Sequence, residues 1–190
     1  MTSFRTLACT ALALGLLTGA AQAQDSSPAE SPVIASLKGL NAITTGNITA
    51  TAELLSEDMY AYRPTVEVRT AGGLLAHIAN AQYAFCSSAA GEASPNAANL
   101  EETLTTKAEI VPALQAAFAY CEGVYDAMTD AQGAESRIFF GQQMAASGIL
   151  AFNSAHNYEH YGNLVTYMRL NGITPPSSQP RPQAGGDGDM

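Results

Sequence analysis

The sequence predicts an all-α fold, a four-helix bundle, and three observations carry that prediction. Four long stretches repeat apolar residues at spacings of three and four, no stretch alternates apolar and polar residues in the manner of a half-buried strand, and one domain's worth of chain remains once an N-terminal leader is set aside.

That leader is residues 1–23. Arg5 gives it a basic start, Leu7 to Leu17 an apolar run, and Ala21-Gln22-Ala23 a cleavage signal of the A-x-A type, the pattern of a secretory signal peptide. The run is too short to span a membrane and no other stretch approaches the length required, so the expected product is a bacterial periplasmic or secreted protein without membrane attachment after cleavage. Residues 24–31 read as a flexible leader, 32–176 as the bundle, and 177–190, rich in Pro, Gly, Ser and Gln, as a disordered tail.

The first helix is expected from Pro32 to about Leu55, with Ser31 as N-cap and Pro32 at the first helical position. Val33, Ile34, Leu37, Leu40, Ile43, Ile48 and Leu55 form its rough apolar stripe, and Thr44-Thr45-Gly46-Asn47 is a poor interior expected to bend it. Tyr60 to Thr65 is a connection. The second helix begins near Thr70 and carries Leu74, His77, Ile78, Ala81 and Phe85 on one face, until Gly91 to Asn99, with Pro95, ends it. The third starts near Leu100, where Glu101 and Glu102 suit the positive end of a helix, and runs to about Met128 with a kink expected at Pro112. An irregular stretch around 132–141 leads to the fourth helix, about Met144 to Leu170, which Asn171-Gly172 and Pro175-Pro176 stop.

Charge narrows the partners. Eight basic residues face 17 acidic ones for a net charge of −9, with no basic cluster, which argues against nucleic acid and anionic membrane. In an oxidising compartment the two cysteines of the mature chain, Cys86 and Cys121, are expected to form a disulfide, since neither C-x-x-C spacing nor an adjacent basic residue marks a reactive thiol pair.

The chain has three histidines, and two of them, His156 and His160, stand four apart on the fourth helix, where both imidazoles share a face. His77 on the second helix supplies a third ligand if those helices run antiparallel. Three protein ligands leave coordination positions open, as reactive metal sites do. A Cys86–Cys121 bond, near the ends of the second and third helices, requires those two to be parallel, with a crossover along 91–99. Both constraints are met by an up-down-down-up order. The segment also matches H-x-x-E-H through Glu159, but that peptidase pattern needs an acidic ligand well downstream, where only Asp187 and Asp189 stand.

Arg63-Pro64-Thr65, Gly72 and His77, followed by His156, His160, Tyr161-Gly162, Tyr167, Arg169, Gly172 and Pro175-Pro176, resemble the DinB-like (DinB/YfiT) superfamily over nearly the whole mature chain. The resemblance implies the same bundle and a divalent metal, most often zinc or nickel, on His77, His156 and His160. It also implies, for some relatives, metal-dependent thiol transfer or thiol-dependent isomerisation. The expected function is therefore an exported protein with a metal-dependent hydrolase or thiol/group transferase activity on a small molecule; the alternatives are a non-enzymatic metal- or small-ligand-binding or stress-related scaffold and a dimeric structural module with a vestigial site. A homodimer stays open. Around the ligands, Asn153 is a candidate to orient an imidazole, Tyr161 a candidate contact, and Arg63 either a contact for an anionic substrate or a structural ion pair or cap.

Overall fold

Helical spacing of the apolar residues gives four long helices in the computed structural model, which describes residues 31–180. The predicted signal peptide, residues 24–30 of the leader and the last ten residues of the tail lie outside the described residues. The elements are α1 (Pro32–Leu54), α2 (Glu57–Tyr60), α3 (Ala71–Ala90), α4 (Leu100–Thr103), α5 (Lys107–Ala127), α6 (Asp130–Gly133), β1 (Ser136–Phe139), β2 (Gln142–Ala145) and α7 (Ala146–Leu170), followed by a 3-10 turn at Pro176–Ser178. Among the described residues no helix is long and apolar enough to cross a membrane.

Named contacts fix the direction of three helix pairs. Gly72 and Ile110 meet near the starts of α3 and α5, and a Cys86–Cys121 disulfide joins them near their ends with a Cα separation of 5.3 Å, so the two run the same way. Gln82 of α3 meets Asn153 of α7, while the Tyr167 hydroxyl near the end of α7 donates to the Arg69 carbonyl just before α3, so that pair runs oppositely. Lys38 pairs with Asp126 and Gln115 donates to Glu53, which sets α1 against α5.

Three local features depart from the sequence expectation. The predicted third helix is two pieces, because Thr106 and Glu109 form a reciprocal capping box that starts α5 afresh; α5 then continues through Pro112. The absence of strands is corrected by an antiparallel hairpin, in which Ser136 pairs with Ala145 and Phe139 with Gln142. Its two-residue turn is Phe140-Gly141, with φ of 49° and 76°, the positive values a tight hairpin requires. Finally, the α1 stripe is rotated from the predicted one. Val33, Leu40 and Ile43 are exposed, while Asn41, Thr44 and Thr51 are buried beside Ile34 and Ile48. The Thr44 hydroxyl donates to the Asn41 carbonyl, so the Thr-Thr-Gly-Asn run stays helical with its buried hydroxyl satisfied.

The caps explain where the chain turns. Ser31 occupies the N-cap position of α1, but the Asp130 carboxylate accepts from the Val33 and Ile34 N–H groups, while the Ser31 hydroxyl accepts from Asp130 N–H. Gly91 closes α3 in the left-handed conformation at φ 76°. Gly72 acts through close approach instead. A Cβ there would lie 3.0 Å from the Tyr60 carbonyl, so glycine lets α2 lie against α3. Tyr60 itself is buried and donates to the Ala52 carbonyl.

Two apolar clusters form the core. One gathers Ile48, Leu55, Leu75, Ile78, Leu114, Leu164 and Met168, and the other surrounds the disulfide with Ile34, Phe85, Tyr125, Phe139, Ile149 and Leu150. Buried amides from three helices lie deep in the same interior. Gln82 donates to both Asn153 and Asn157, and Asn157 donates to Asn41. Because each unpaired buried amide costs about 1–3 kcal/mol, this set tolerates one register of α7 against α3.

Candidate metal centre

The register that joins the amides brings the three imidazoles together one turn away. His77 Nε2 lies 3.2 Å from His156 Nε2, and His160 Nε2 lies 3.0 Å from the same atom. Each histidine offers one ring nitrogen to a common point, the three atoms falling within 4.8 Å of one another. Ligand nitrogens about 2.0–2.1 Å from one tetrahedral ion stand roughly 3.3 Å apart, so the spacing fits a single ion.

Glu101 decides the tautomer of one imidazole. Its Oε2 lies 3.2 Å from His77 Nδ1, and a carboxylate there accepts the Nδ1 proton, which leaves the Nε2 lone pair facing the cluster. Its other oxygen accepts from Arg69 Nε at 2.6 Å, so a guanidinium, a carboxylate and an imidazole form one chain. The side chain of His160 has the Asn163 amide 3.4 Å from its Nδ1, whereas His156 Nδ1 is buried with no hydrogen-bond partner.

Burial first, and the neighbouring imidazoles next, push the His156 pKa down to about 3. His77 and His160 are also lowered, again chiefly by desolvation. All three rings are therefore neutral at pH 7, the form in which imidazole ligates a metal. Glu101 turns the His77 Nε2 lone pair inward, and three neutral imidazoles that each bring a ring nitrogen within 4.8 Å of the others are a donor set that fits a divalent ion.

Beside His160 opens a cavity of about 660 Å³, lined by Arg63, Val66, Arg69, Glu101, Glu159 and Tyr167 among others. Arg63 stands at its edge and donates to the Val66 carbonyl. Glu159 is exposed and borders the same cavity. Asn153 is spent elsewhere: its amide donates to Gln82 and contacts the Cys121 sulfur at 3.4 Å, so it holds α7 in register and does not orient an imidazole. Tyr161 is buried and points to the C-terminal segment, where its hydroxyl donates to Ser177 Oγ and accepts from Ser177 N–H. That contact carries the fold beyond the predicted boundary at residue 176.

Glu101 is the site residue that sequence reasoning misses. In the sequence it reads as a helix N-terminal acid, a common placement, and the signal that it does more is the crossover itself, which lays the start of α4 against α3. Asn80 shows the same docking, accepting from the Leu100 N–H.

Comparison with known proteins places the chain. A protein-family model described as the DinB family matches residues 40–183. A DinB-like protein from Bacillus subtilis is 22% identical with a TM-score of 0.62, covering 77% of this chain and 99% of that one. A DinB-like protein from Bacillus cereus is 20% identical with a TM-score of 0.66, covering 75% and 95%. The mycothiol-dependent maleylpyruvate isomerase is 16% identical with a TM-score of 0.59, covering 69% and 60%; at such identities all three likenesses are of fold. A search of curated proteins finds no match.

Proposed function

The chain belongs to the DinB family, and from that premise we propose that it is exported and binds one divalent ion, zinc or nickel, through His77, His156 and His160, acting on a small molecule as a metal-dependent hydrolase or thiol/group transferase. The convergence of the three Nε2 atoms carries the reading. The reading also takes the four long helices as an up-down-down-up bundle, supported by the directions of the α3–α5, α3–α7 and α1–α5 pairs.

A divalent ion held by His77, His156 and His160 would supply Lewis acidity toward a protic group of a small molecule bound in the cavity beside His160. The residues of the chain do the rest. Glu101 holds His77 in its ligating tautomer, and Arg69, anchored by the same carboxylate, presents positive charge to the cavity. Arg63 adds a second guanidinium at the rim, so an anionic substrate group has two partners. Glu159, next to His160 in sequence, is placed to take a proton from a reacting group in that cavity. Cys86 and Cys121, the two cysteines among the described residues, are bound to each other, so neither supplies a thiol to the reaction.

The test begins with metal analysis of the protein purified without a histidine tag. One ion per chain is expected, and His156→Ala should lose it; absence of stoichiometric metal in the unaltered protein sinks the proposal. Ester-hydrolysis and thiol-transfer assays on the same pair then separate an enzyme from a binder, because turnover that survives in His156→Ala cannot use this centre. Export is checked by the N-terminal sequence of the mature protein, expected to start at Gln24.

A further inference from the structure

An aromatic shelf adjoins the metal centre on the side of the hairpin. Phe85, one helical face along α3 from His77, packs its ring edge-on to His156 with centroids 5.1 Å apart. The same Phe85 ring touches Phe139 at 5.3 Å, Phe152 at 5.4 Å and Phe140 at 6.1 Å. Two ring-to-ring steps therefore lead from a metal-ligating imidazole to the tip of the hairpin.

The base and the top of this cluster differ in exposure. Phe85 and Phe139 are buried, at 7% and 6%, whereas Phe140 is 75% exposed and Phe152 39% exposed. Phe140 also sits at φ 49°, a left-handed conformation that favours Gly, Asn or Asp. Turn chemistry alone does not call for a phenyl ring there. Its ring lies 4.3 Å from that of Phe139, so the turn lifts an aromatic face over the buried pair and leaves that face to solvent.

From this geometry, and resting on the metal-binding reading above, we infer that the shelf of Phe140 and Phe152, backed by the buried Phe85 ring, receives an uncharged apolar group, aryl or long alkyl, of the molecule whose polar end reaches the metal. The substrate class is then amphiphilic, with a polar or anionic end toward Arg63 and Arg69 and an apolar end toward the hairpin. Charge supports the apolar assignment: the hairpin's strands carry one charged side chain, Arg137, and it is paired with Glu135 at 2.9 Å. A lipid surface is disfavoured for the same reason, since the shelf offers no free cation to an anionic headgroup. Contact with His156 favours a small molecule over a second copy of the chain, because only the former engages ring and metal together.

The test uses the full mature chain loaded with cobalt(II), whose visible spectrum reports ligands entering the coordination sphere. Imidazole and 4-phenylimidazole are titrated into the unaltered protein and into Phe140→Asn/Phe152→Gln, in which asparagine preserves the left-handed turn and glutamine the exposed helix surface. The ratio of the two affinities should favour the phenyl compound about tenfold more in the unaltered protein than in the variant, with imidazole affinity and thermal midpoint alike in both. Equal ratios overturn the inference while leaving the metal reading intact. Failure to load cobalt overturns both. A concentration-dependent dimer that the double substitution abolishes, with no change in the ratio, assigns the shelf to a second copy and likewise overturns it.

Discussion

Glu101 does two jobs with one carboxylate. It accepts from Arg69 through one oxygen and faces His77 Nδ1 through the other, so its charge both fixes a tautomer and strengthens the basicity of His77 Nε2. Glu101→Gln keeps the size and one acceptor but removes the charge. Zinc affinity measured by competition with a chelator should fall about 10- to 100-fold while the fold is retained, and an unchanged affinity would show that the carboxylate serves Arg69 alone. The histidines are legible because a spacing of four on a helix is a geometric statement made by sequence alone. Glu101 is not, because its proximity to His77 depends on how the crossover lies, and no periodicity encodes that. Gln82 and Asn41 escape for a related reason: an amide inside a helix reads as surface until three helices turn their amides toward one another.

At the scale of elements, the long helices are legible wherever apolar residues recur at three and four, and Gly91 and Gly172 mark the stops that left-handed glycine supplies. The hairpin is hidden. Its strands have four residues each, and a Phe-Gly turn lacks the usual Asn-Gly signal although it adopts the same positive angles. The α1 stripe misleads because its buried face includes Asn41, Thr44 and Thr51, polar residues held inside by hydrogen bonding and not by hydrophobicity. The disulfide ties two parallel helices whose cysteines are separated by 35 residues, a closure worth about 3–4 kcal/mol on chain-entropy grounds. Cys86→Ala/Cys121→Ala should therefore unfold at a clearly lower urea concentration, with a slope no smaller than that of the linked protein, because the unlinked denatured chain exposes more surface. A midpoint that does not move would mean that the core cluster around Phe85 and Tyr125 already holds α3 to α5 unaided.

For the molecule as a whole, the centre links stability to pH with a sign that burial fixes. His77, His156 and His160 all have pKa values lowered in the fold, with burial the leading cause and His156 brought to about 3, whereas in the unfolded chain they titrate near 6.5. Above that value both states are neutral and the rings contribute nothing pH-dependent. As pH falls below it, the unfolded chain takes up protons that the metal-free fold refuses, so stability declines with acidification. Each imidazole that stays neutral contributes up to about 1.4 kcal/mol per pH unit. The clean window is about pH 6.5 to 5, above the range where Glu67 and Glu109, both lowered by hydrogen bonds, add a decline of the same sign. Urea midpoints of chelator-treated protein should fall steadily through that window. His156→Gln, which has no proton to refuse, should show a shallower fall. Zinc should raise the midpoint most at neutral pH and lose its effect toward pH 5, where protons compete for the ligands. A metal-free midpoint that is flat between pH 6.5 and 5 would mean that the rings accept protons in the folded state, and the desolvation that keeps them neutral and ready for a cation would have to be abandoned.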